Sequence, residues 1–183
     1  MKKTITTLLA VIILGTVLST FAQEDVPSRI GYFHIGFSTP ATPNKCLTLG
    51  GPAISGTPIV QFDCNNGANQ FYVYEDYPPV RFRFIIKSNM NKNLCIGITN
   101  NLHANAHELL RLVPCRVNGQ VQFGALWIED EIGGYLGFRI RANQLAADHS
   151  QTCIDVPDAS LDNGVLLQLF PCGNRSNQMW QVE

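Results

Sequence analysis

Short runs in which apolar and polar residues alternate recur along the chain. The alternation is clear at residues 32–35, 71–74, 81–86 and 138–141, and Gly, Pro and Asn residues separate the runs. A period of two, with basic residues on one side in the last two runs, predicts half-buried β-strands. No window keeps a 3.6-residue period long enough for a helix, and Leu102 to Leu112 is predicted to form a turn or two at most. The pattern predicts an all-β fold.

One sequence unit occurs three times, at a spacing of roughly 50 residues. Each copy opens on Cys followed by Leu or Ile, closes its hairpin on a second Cys, and ends near an aromatic residue. A unit of about four short strands cannot bury its own apolar face, so the three copies are expected to share one core. This predicts a pseudo-threefold β-barrel, the β-trefoil. The opening pairs are residues 46–47, 95–96 and 153–154, and the endings are 69–72, 126–127 and 177–180.

The six cysteines fall into three pairs, one in each unit. The separations within the units are 18, 20 and 19 residues, which predicts one local disulfide per unit. No tight C-x-x-C knuckle of a zinc site occurs. His103 and His107 lie four residues apart but lack a third ligand, so no metal or cofactor is predicted. The predicted disulfides are Cys46–Cys64, Cys95–Cys115 and Cys153–Cys172.

The first 22 residues have the organisation of a secretory signal peptide. Lys2 and Lys3 precede an apolar stretch at residues 8–18, and small residues before position 23 suit cleavage after Ala22. The apolar stretch is too short to span a bilayer. We expect a secreted protein, periplasmic or extracellular, with a flexible arm at residues 23–29 and the trefoil at residues 30–183.

The charge of the chain excludes two classes of partner. Without the two lysines of the leader, 11 basic and 14 acidic residues remain, a formal net charge of −3. A mildly acidic protein is unsuited to nucleic acid held through phosphate contacts. It is equally unsuited to docking on anionic lipid, and no direct membrane insertion is expected.

The third unit resembles the ricin B-type lectin family, whose signature is a Gln-x-Trp repeat in a β-trefoil. The resemblance rests on C-I-D-V at 153–156, N-G at 163–164, Q-L-F-P-C at 168–172 and N-Q-M-W at 177–180. It implies a galactose-type sugar in a shallow pocket of each intact unit, and cell-surface or extracellular glycans as partners. A weaker similarity in plan to the ricin-like subunits of cytolethal distending toxin implies an alternative, a delivery subunit with toxin partner chains.

The resemblance assigns five residues of the third unit to sugar binding. Asp155 would accept hydrogen bonds from two sugar hydroxyls, and a charged acceptor gives the stronger kind. Phe170 would stack on the C–H face of the sugar, and Asn177 would both donate to and accept from a hydroxyl. Gln168 would line the pocket, while Gln178 would fasten the local backbone. The structural alternatives are a turn acid at Asp155, a core ring at Phe170 and a turn amide at Asn177.

The other two units lack parts of this set. Thr48 stands where the first unit would carry the acid, although Phe62 and Asn69 remain, which predicts a vestigial sugar site. The second unit has Gly97 at the acid position and Val113 at the aromatic position, and no Asn-Gln pair follows. One competent site is therefore predicted.

Sequence patterns of catalysis are lacking. No nucleophile elbow, zinc-protease motif or reactive single cysteine occurs. Glu129-Asp130-Glu131 is a charge run expected on a solvated loop, and a glycosidase would need two acids facing each other across a cleft. The sequence predicts a non-enzymatic lectin, with a toxin subunit as the alternative and a hydrolase as a third class.

Overall fold

A computed structural model of the chain describes residues 35–36, 45–77, 83–131 and 137–182. The predicted signal peptide, the arm and the first residues of the predicted domain lie outside these ranges. The described residues form β-strands and single 3-10 turns without an α-helix, which confirms the all-β prediction. None of their elements is a helix of the length and hydropathy needed to cross a membrane.

The described strands are short, between two and six residues each. Four 3-10 turns interrupt them, at Ala68–Gln70, Phe123–Ala125, Pro157–Ala159 and Ser176–Gln178. The strands are β1 Ile35–Gly36, β2 Lys45–Leu49, β3 Ile59–Asp63, β4 Tyr72–Asp76, β5 Arg83–Ser88, β6 Leu94–Gly97, β7 Arg111–Pro114, β8 Arg116–Val117, β9 Gln120–Val121, β10 Trp127–Glu131, β11 Phe138–Ala142, β12 Thr152–Asp155, β13 Val165–Leu166, β14 Gln168–Pro171 and β15 Gln181–Val182.

The strands are arranged in a threefold pattern, the β-trefoil. Each unit contributes an antiparallel hairpin that carries a disulfide: β2–β3, β6–β7 and β12–β14. The strands β4, β10 and β15 that follow the three hairpins pair with β5, β11 and β1, so β15 meets the first described strand and closes the fold. The three disulfides join the cysteines that the spacing predicted. Loops of this size contribute roughly 3 kcal/mol each in the chain-entropy model.

Equivalent aromatic residues from the three units meet in the core. Tyr72, Trp127 and Trp180 each follow a 3-10 turn and are 1%, 1% and 2% exposed. The indole N–H of Trp127 donates to the carbonyl of Ile96 at 3.0 Å, and that of Trp180 donates to the carbonyl of Ile154 at 3.2 Å. The second and third units therefore share this hydrogen bond, whereas the hydroxyl of Tyr72 in the first unit donates to the carbonyl of Asn69 at 3.3 Å.

The structure agrees with the prediction for residues 102–112 and differs from the prediction for the acidic run Glu129–Glu131. Residues 102–110 form turns and an isolated bridge, in agreement with the prediction of little helix. The placement of Glu129-Asp130-Glu131 on a loop is wrong, because these residues belong to β10. Asp130 pairs with Arg139 at 2.7 Å, and Glu129 accepts a hydrogen bond from the hydroxyl of Tyr74 at 3.3 Å. Partners on β11 and β4 stabilise an acidic run that would be unfavourable in an isolated strand.

Candidate functional site

Asp155 is the centre of a buried polar cluster at the end of β12. The core side chain of Ile154 precedes it, so alternation along the strand turns Asp155 to the outer face. The residue is only 2% exposed. Its Oδ1 accepts hydrogen bonds from the amides of Asn177 at 2.7 Å and Gln178 at 3.1 Å, and its Oδ2 accepts one from Gln168 at 3.1 Å. Amide donors fix both carboxylate oxygens in place.

The environment of Asp155 changes its acidity. Burial raises the pKa of this carboxyl above its ordinary value of 3.8. Hydrogen bonds from Gln168 and Gln178 and the charge of Arg175 oppose the rise without cancelling it. A carboxylate has about four lone-pair sites, and three amide donors occupy three of them. One position, on Oδ2, remains for an external donor, where the sequence predicted hydrogen bonds from two hydroxyls.

Asn177 and Gln178 lie in the 3-10 turn Ser176–Gln178 and differ in the hydrogen-bonding groups that they leave free for a ligand. Asn177 uses both amide hydrogens, on Asp155 and on the carbonyl of Val156 at 2.8 Å, so only its carbonyl oxygen is left for a ligand. Gln178 is fully buried, accepts from the amide of Gly173 at 2.8 Å, and donates to the carbonyl of Pro171 at 3.1 Å. Gln178 therefore has the geometry of the fastening residue that the sequence predicted.

A pocket of about 360 Å³ opens over this cluster. Phe170 lies at its side, half-buried on β14, opposite Cys153 in the strand register. The pocket unites four of the five predicted residues, Asp155, Gln168, Phe170 and Asn177, and Gln178 lies behind them. Its lining residues are His107, Asp155, Pro157, Asp158, Ala159, Gln168, Phe170, Arg175 and Asn177.

Three charged or titratable side chains of the pocket were not predicted as site residues: His107, Asp158 and Arg175. His107 comes from the second unit, and its Nδ1 lies 3.2 Å from Oε1 of Gln168. Its ring meets that of Phe170 edge-on, with 5.2 Å between centroids. The guanidinium of Arg175 lies 5.8 Å from the Phe170 centroid, within cation–π range. His107 and Arg175 thus flank the ring of Phe170.

The first unit retains the scaffold of this cluster but lacks its charge. Gln70, the counterpart of Gln178, donates to the hydroxyl of Thr48 at 3.0 Å and to the carbonyl of Asp63 at 2.8 Å. Asn69 donates to the carbonyl of Leu49 at 3.4 Å, and Phe62 is 39% exposed. These residues occupy the predicted vestigial positions, with a neutral hydroxyl in place of the carboxylate.

The second unit is closed at the corresponding position by its own backbone. A Cβ atom at Gly97 would lie 2.6 Å from the carbonyl oxygen of Gly124 and 2.6 Å from Cγ2 of Val113. Gly124 and Ala125 occupy the 3-10 turn where the third unit has Asn177 and Gln178. A side chain at position 97 has no room. The glycine therefore reflects close packing as well as the missing acid.

No cluster of three or more potential metal ligands occurs among the residues that the structure describes. His103 and His107 do not lie on a helix, because residues 103–105 are irregular and residues 106–107 form a turn.

Comparison with solved structures shows the fold that the sequence predicted. The chain is similar to the Macrolepiota procera ricin B-like lectin in complex with lactose, at 15% identity and a TM-score of 0.62, covering 84% of this chain and 95% of that one. It is similar to a chain of the Haemophilus ducreyi cytolethal distending toxin, at 9% identity and a TM-score of 0.56, covering 83% and 82%. The sequence itself matches no family model and no curated protein.

The same fold also occurs within an enzyme. The exo-β-1,3-galactanase 1,3Gal43A of Clostridium thermocellum is similar at 17% identity and a TM-score of 0.66, over 83% of this chain but only 30% of that one. At these identities the likeness shows a shared fold, that of ricin B-like lectins. The local disulfides are consistent with an extracellular or secreted protein.

Proposed function

We propose that the chain is a secreted, non-enzymatic carbohydrate-binding protein with one competent site, in the third unit, for a galactose-type sugar. The observation that carries the proposal is the Asp155 carboxylate, buried and oriented by three amides at one pocket, with one acceptor position left open. Lactose is the ligand of the Macrolepiota procera lectin, which has the same fold. Fold alone does not assign a ligand, so the pocket chemistry has to support the choice.

The pocket offers complementary groups for a pyranose. Oδ2 of Asp155 and the amide oxygen of Asn177 accept from sugar hydroxyls, and Phe170 faces the C–H groups of the ring. A charged acceptor favours a hydroxyl over an apolar competitor. Open monosaccharide sites of this kind bind on the order of millimolar, about −4 kcal/mol. A single weak site implies that useful avidity comes from self-association or a partner chain.

A glycan array tests the proposal. The disulfide-bonded protein should bind glycans with terminal galactose or N-acetylgalactosamine and leave those with terminal glucose or mannose unbound. Free lactose added in excess should compete the signal away. Binding that free galactosides do not compete away would contradict the proposal, and so would a lack of binding to every galactose-type glycan.

As the pH falls, glycan binding should begin to weaken at a higher pH than it would if Asp155 had the pKa of an ordinary aspartate. The pKa of Asp155 is raised, chiefly by burial, so the ionised acceptor is present above that raised pKa and is lost as the pH falls through it. Because this pKa is higher in the folded state than in the unfolded state, protonation of Asp155 stabilises the folded protein. The loss of binding at low pH is therefore not caused by unfolding that follows protonation of Asp155.

The measurement for this pH dependence is calorimetric titration with lactose between neutral pH and pH 4. A His107→Gln variant is the matched control, because it removes the imidazole of the pocket and leaves the carboxyl. The His107→Gln variant should still lose affinity for lactose as the pH falls. An affinity that stays constant throughout this range would contradict the role of the Asp155 carboxylate.

A second candidate function is a cell-binding or delivery subunit of a secreted multi-component toxin. An exposed apolar pair in the second unit favours it: Leu102 is 78% exposed and Phe123 is 58% exposed. A hydrogen bond of 2.7 Å between Asn101 and Gln122 joins the two loops that carry them. This candidate function requires a gene for an enzymatic toxin subunit beside the gene for this protein. It also requires that the two proteins form a complex in gel filtration, and that Phe123→Ser weakens this complex. Lack of such a gene would remove it.

A further inference from the structure

Two arginines lie on the outer face of the third unit. Ile140 and Ala142 of β11 face the core, so the alternating residues Arg139 and Arg141 point the other way. Their side chains are 17% and 19% exposed, which is low for arginine on an outer face. The guanidinium groups are therefore partly withdrawn from water, where an unpaired charge is costly.

The second unit serves as an internal comparison. Lys87 lies opposite Cys95 as Arg141 lies opposite Cys153, so Ile85 and Lys87 correspond to Arg139 and Arg141. Ile85 packs in an apolar cluster with Cys95, Val113 and Leu126. Lys87 forms an ion pair with Glu75. Arg116 lies 3.2 Å from the same carboxylate, so two cations share one acid there as well. Neither of these two cations has a buried nitrogen without a hydrogen-bond partner.

The third unit has two cations around one acid. Nη2 of Arg139 lies 2.7 Å from Oδ2 of Asp130, while Nε of Arg141 lies 3.9 Å from the same oxygen. The Nε groups of both arginines are buried without a hydrogen-bond partner. Within the described residues, Arg141 makes no hydrogen bond through its side chain. A ligand anion cannot reach the covered Nε atoms, but it can contact the partly exposed remainder of the two guanidinium groups. It would add the negative charge that a single carboxylate leaves incomplete beside two partly buried cations.

Arg139 and Arg141 do not line the sugar pocket but lie on strands close to it. Arg141 lies opposite Cys153 on the next strand, and Cys153 lies opposite Phe170 on the strand after that. Strands are about 4.8 Å apart, so the backbones of Arg141 and Phe170 are separated by about 10 Å. Nη1 of Arg139 donates to the carbonyl of Gly173 at 3.4 Å, at the start of the loop that places Arg175 over the Phe170 ring.

We propose that Arg139 and Arg141 form a subsite for an anionic group, a carboxylate or a sulfate ester, carried by the glycan next to the sugar in the pocket. The proposal rests on the proposed function for the position of that sugar. Guanidinium groups bind both anions through paired N–H donors, so the two share one recognition chemistry. The subsite makes acidic galactosides the preferred ligands of a protein whose own net charge is negative.

The test compares lactose with 3′-sulfolactose and 3′-sialyllactose by calorimetry, on the disulfide-bonded protein and two variants. The unmodified protein should bind at least one acidic ligand about tenfold tighter than lactose. Arg141→Gln should reduce that affinity to the lactose level and leave lactose binding unchanged. Arg116→Gln is the matched control, because Arg116 forms an ion pair with Glu75 in the second unit, and it should change neither affinity.

Each outcome decides a separate point. Preference for sulfolactose alone identifies a sulfate ester, and preference for sialyllactose alone identifies a carboxylate. Lactose binding without any gain for the acidic ligands overturns the subsite and leaves the proposed function intact. A gain that survives Arg141→Gln also overturns it, since Arg175 would then account for the preference. Failure of all three ligands to bind overturns both proposals.

Discussion

Asp155→Ala should abolish measurable lactose binding, with a loss of about 100-fold or more. The substitution removes the charged acceptor of the pocket, and a hydrogen bond to a charged group contributes about 1.5–3 kcal/mol. It also leaves the amides of Gln168, Asn177 and Gln178 without their common acceptor. Part of the effect therefore comes from loss of the arrangement that holds Asn177 in place.

The measurement is calorimetric titration with lactose, accompanied by thermal unfolding to show that the variant is folded. Thr48→Ala is the matched control, because Thr48 occupies the corresponding position of the first unit and is bonded by Gln70. It should leave lactose affinity unchanged. A folded Asp155→Ala protein that binds lactose within threefold of the unmodified protein would refute the assignment of the site.

Gly97→Asp should destabilise the protein and create no second sugar site. Comparison of the repeats alone suggests the opposite, since the change restores the missing acid. The structure places the new Cβ 2.6 Å from a backbone oxygen and 3.2 Å from the Cα of Ala125, and the backbone has little freedom to yield. Overpacking costs about 1–3 kcal/mol. A carboxylate without the amide partners of Asp155 adds a further penalty.

Urea unfolding of Gly97→Ala and Gly97→Asp separates these two contributions. The alanine variant should lose about 1–3 kcal/mol of unfolding free energy, and the aspartate variant more. Gly51→Ala is the control, because its Cβ would meet only Cγ2 of Thr57, at an ordinary 3.7 Å. A Gly97→Ala protein as stable as the Gly51→Ala control would show that the second unit has room for a side chain.

The sequence predicted features that are local to one unit. Cysteines 18 to 20 residues apart in each hairpin predicted the disulfides, because the paired strands are neighbours in sequence. The resemblance of the third unit placed Asp155, Phe170 and Asn177 in one site, and the structure brings them together because β12, β14 and the final 3-10 turn belong to that unit. The threefold core followed from aromatic residues repeated at matching positions.

Features that depend on contacts between units, or between distant parts of one unit, were not predicted. His107 lies 61 residues before Gln168, and no local pattern connects them; only its place opposite the third hairpin brings it into the pocket. The strand character of Glu129–Glu131 depends on Arg139 and Tyr74. The closed state of the second unit depends on how near Gly124 approaches Gly97, which no spacing of residues reveals.

The central claim, a galactoside site in the third unit, is tested most directly by titrating lactose into ¹⁵N-labelled protein and recording amide and side-chain chemical shifts. The account predicts concentration-dependent shifts at Asp155, Gln168, Phe170 and Asn177, with Thr48 and Gly97 unmoved. Saturating shifts centred on the first or second unit, or an unchanged spectrum at lactose concentrations of tens of millimolar, about ten times the expected Kd, would contradict it.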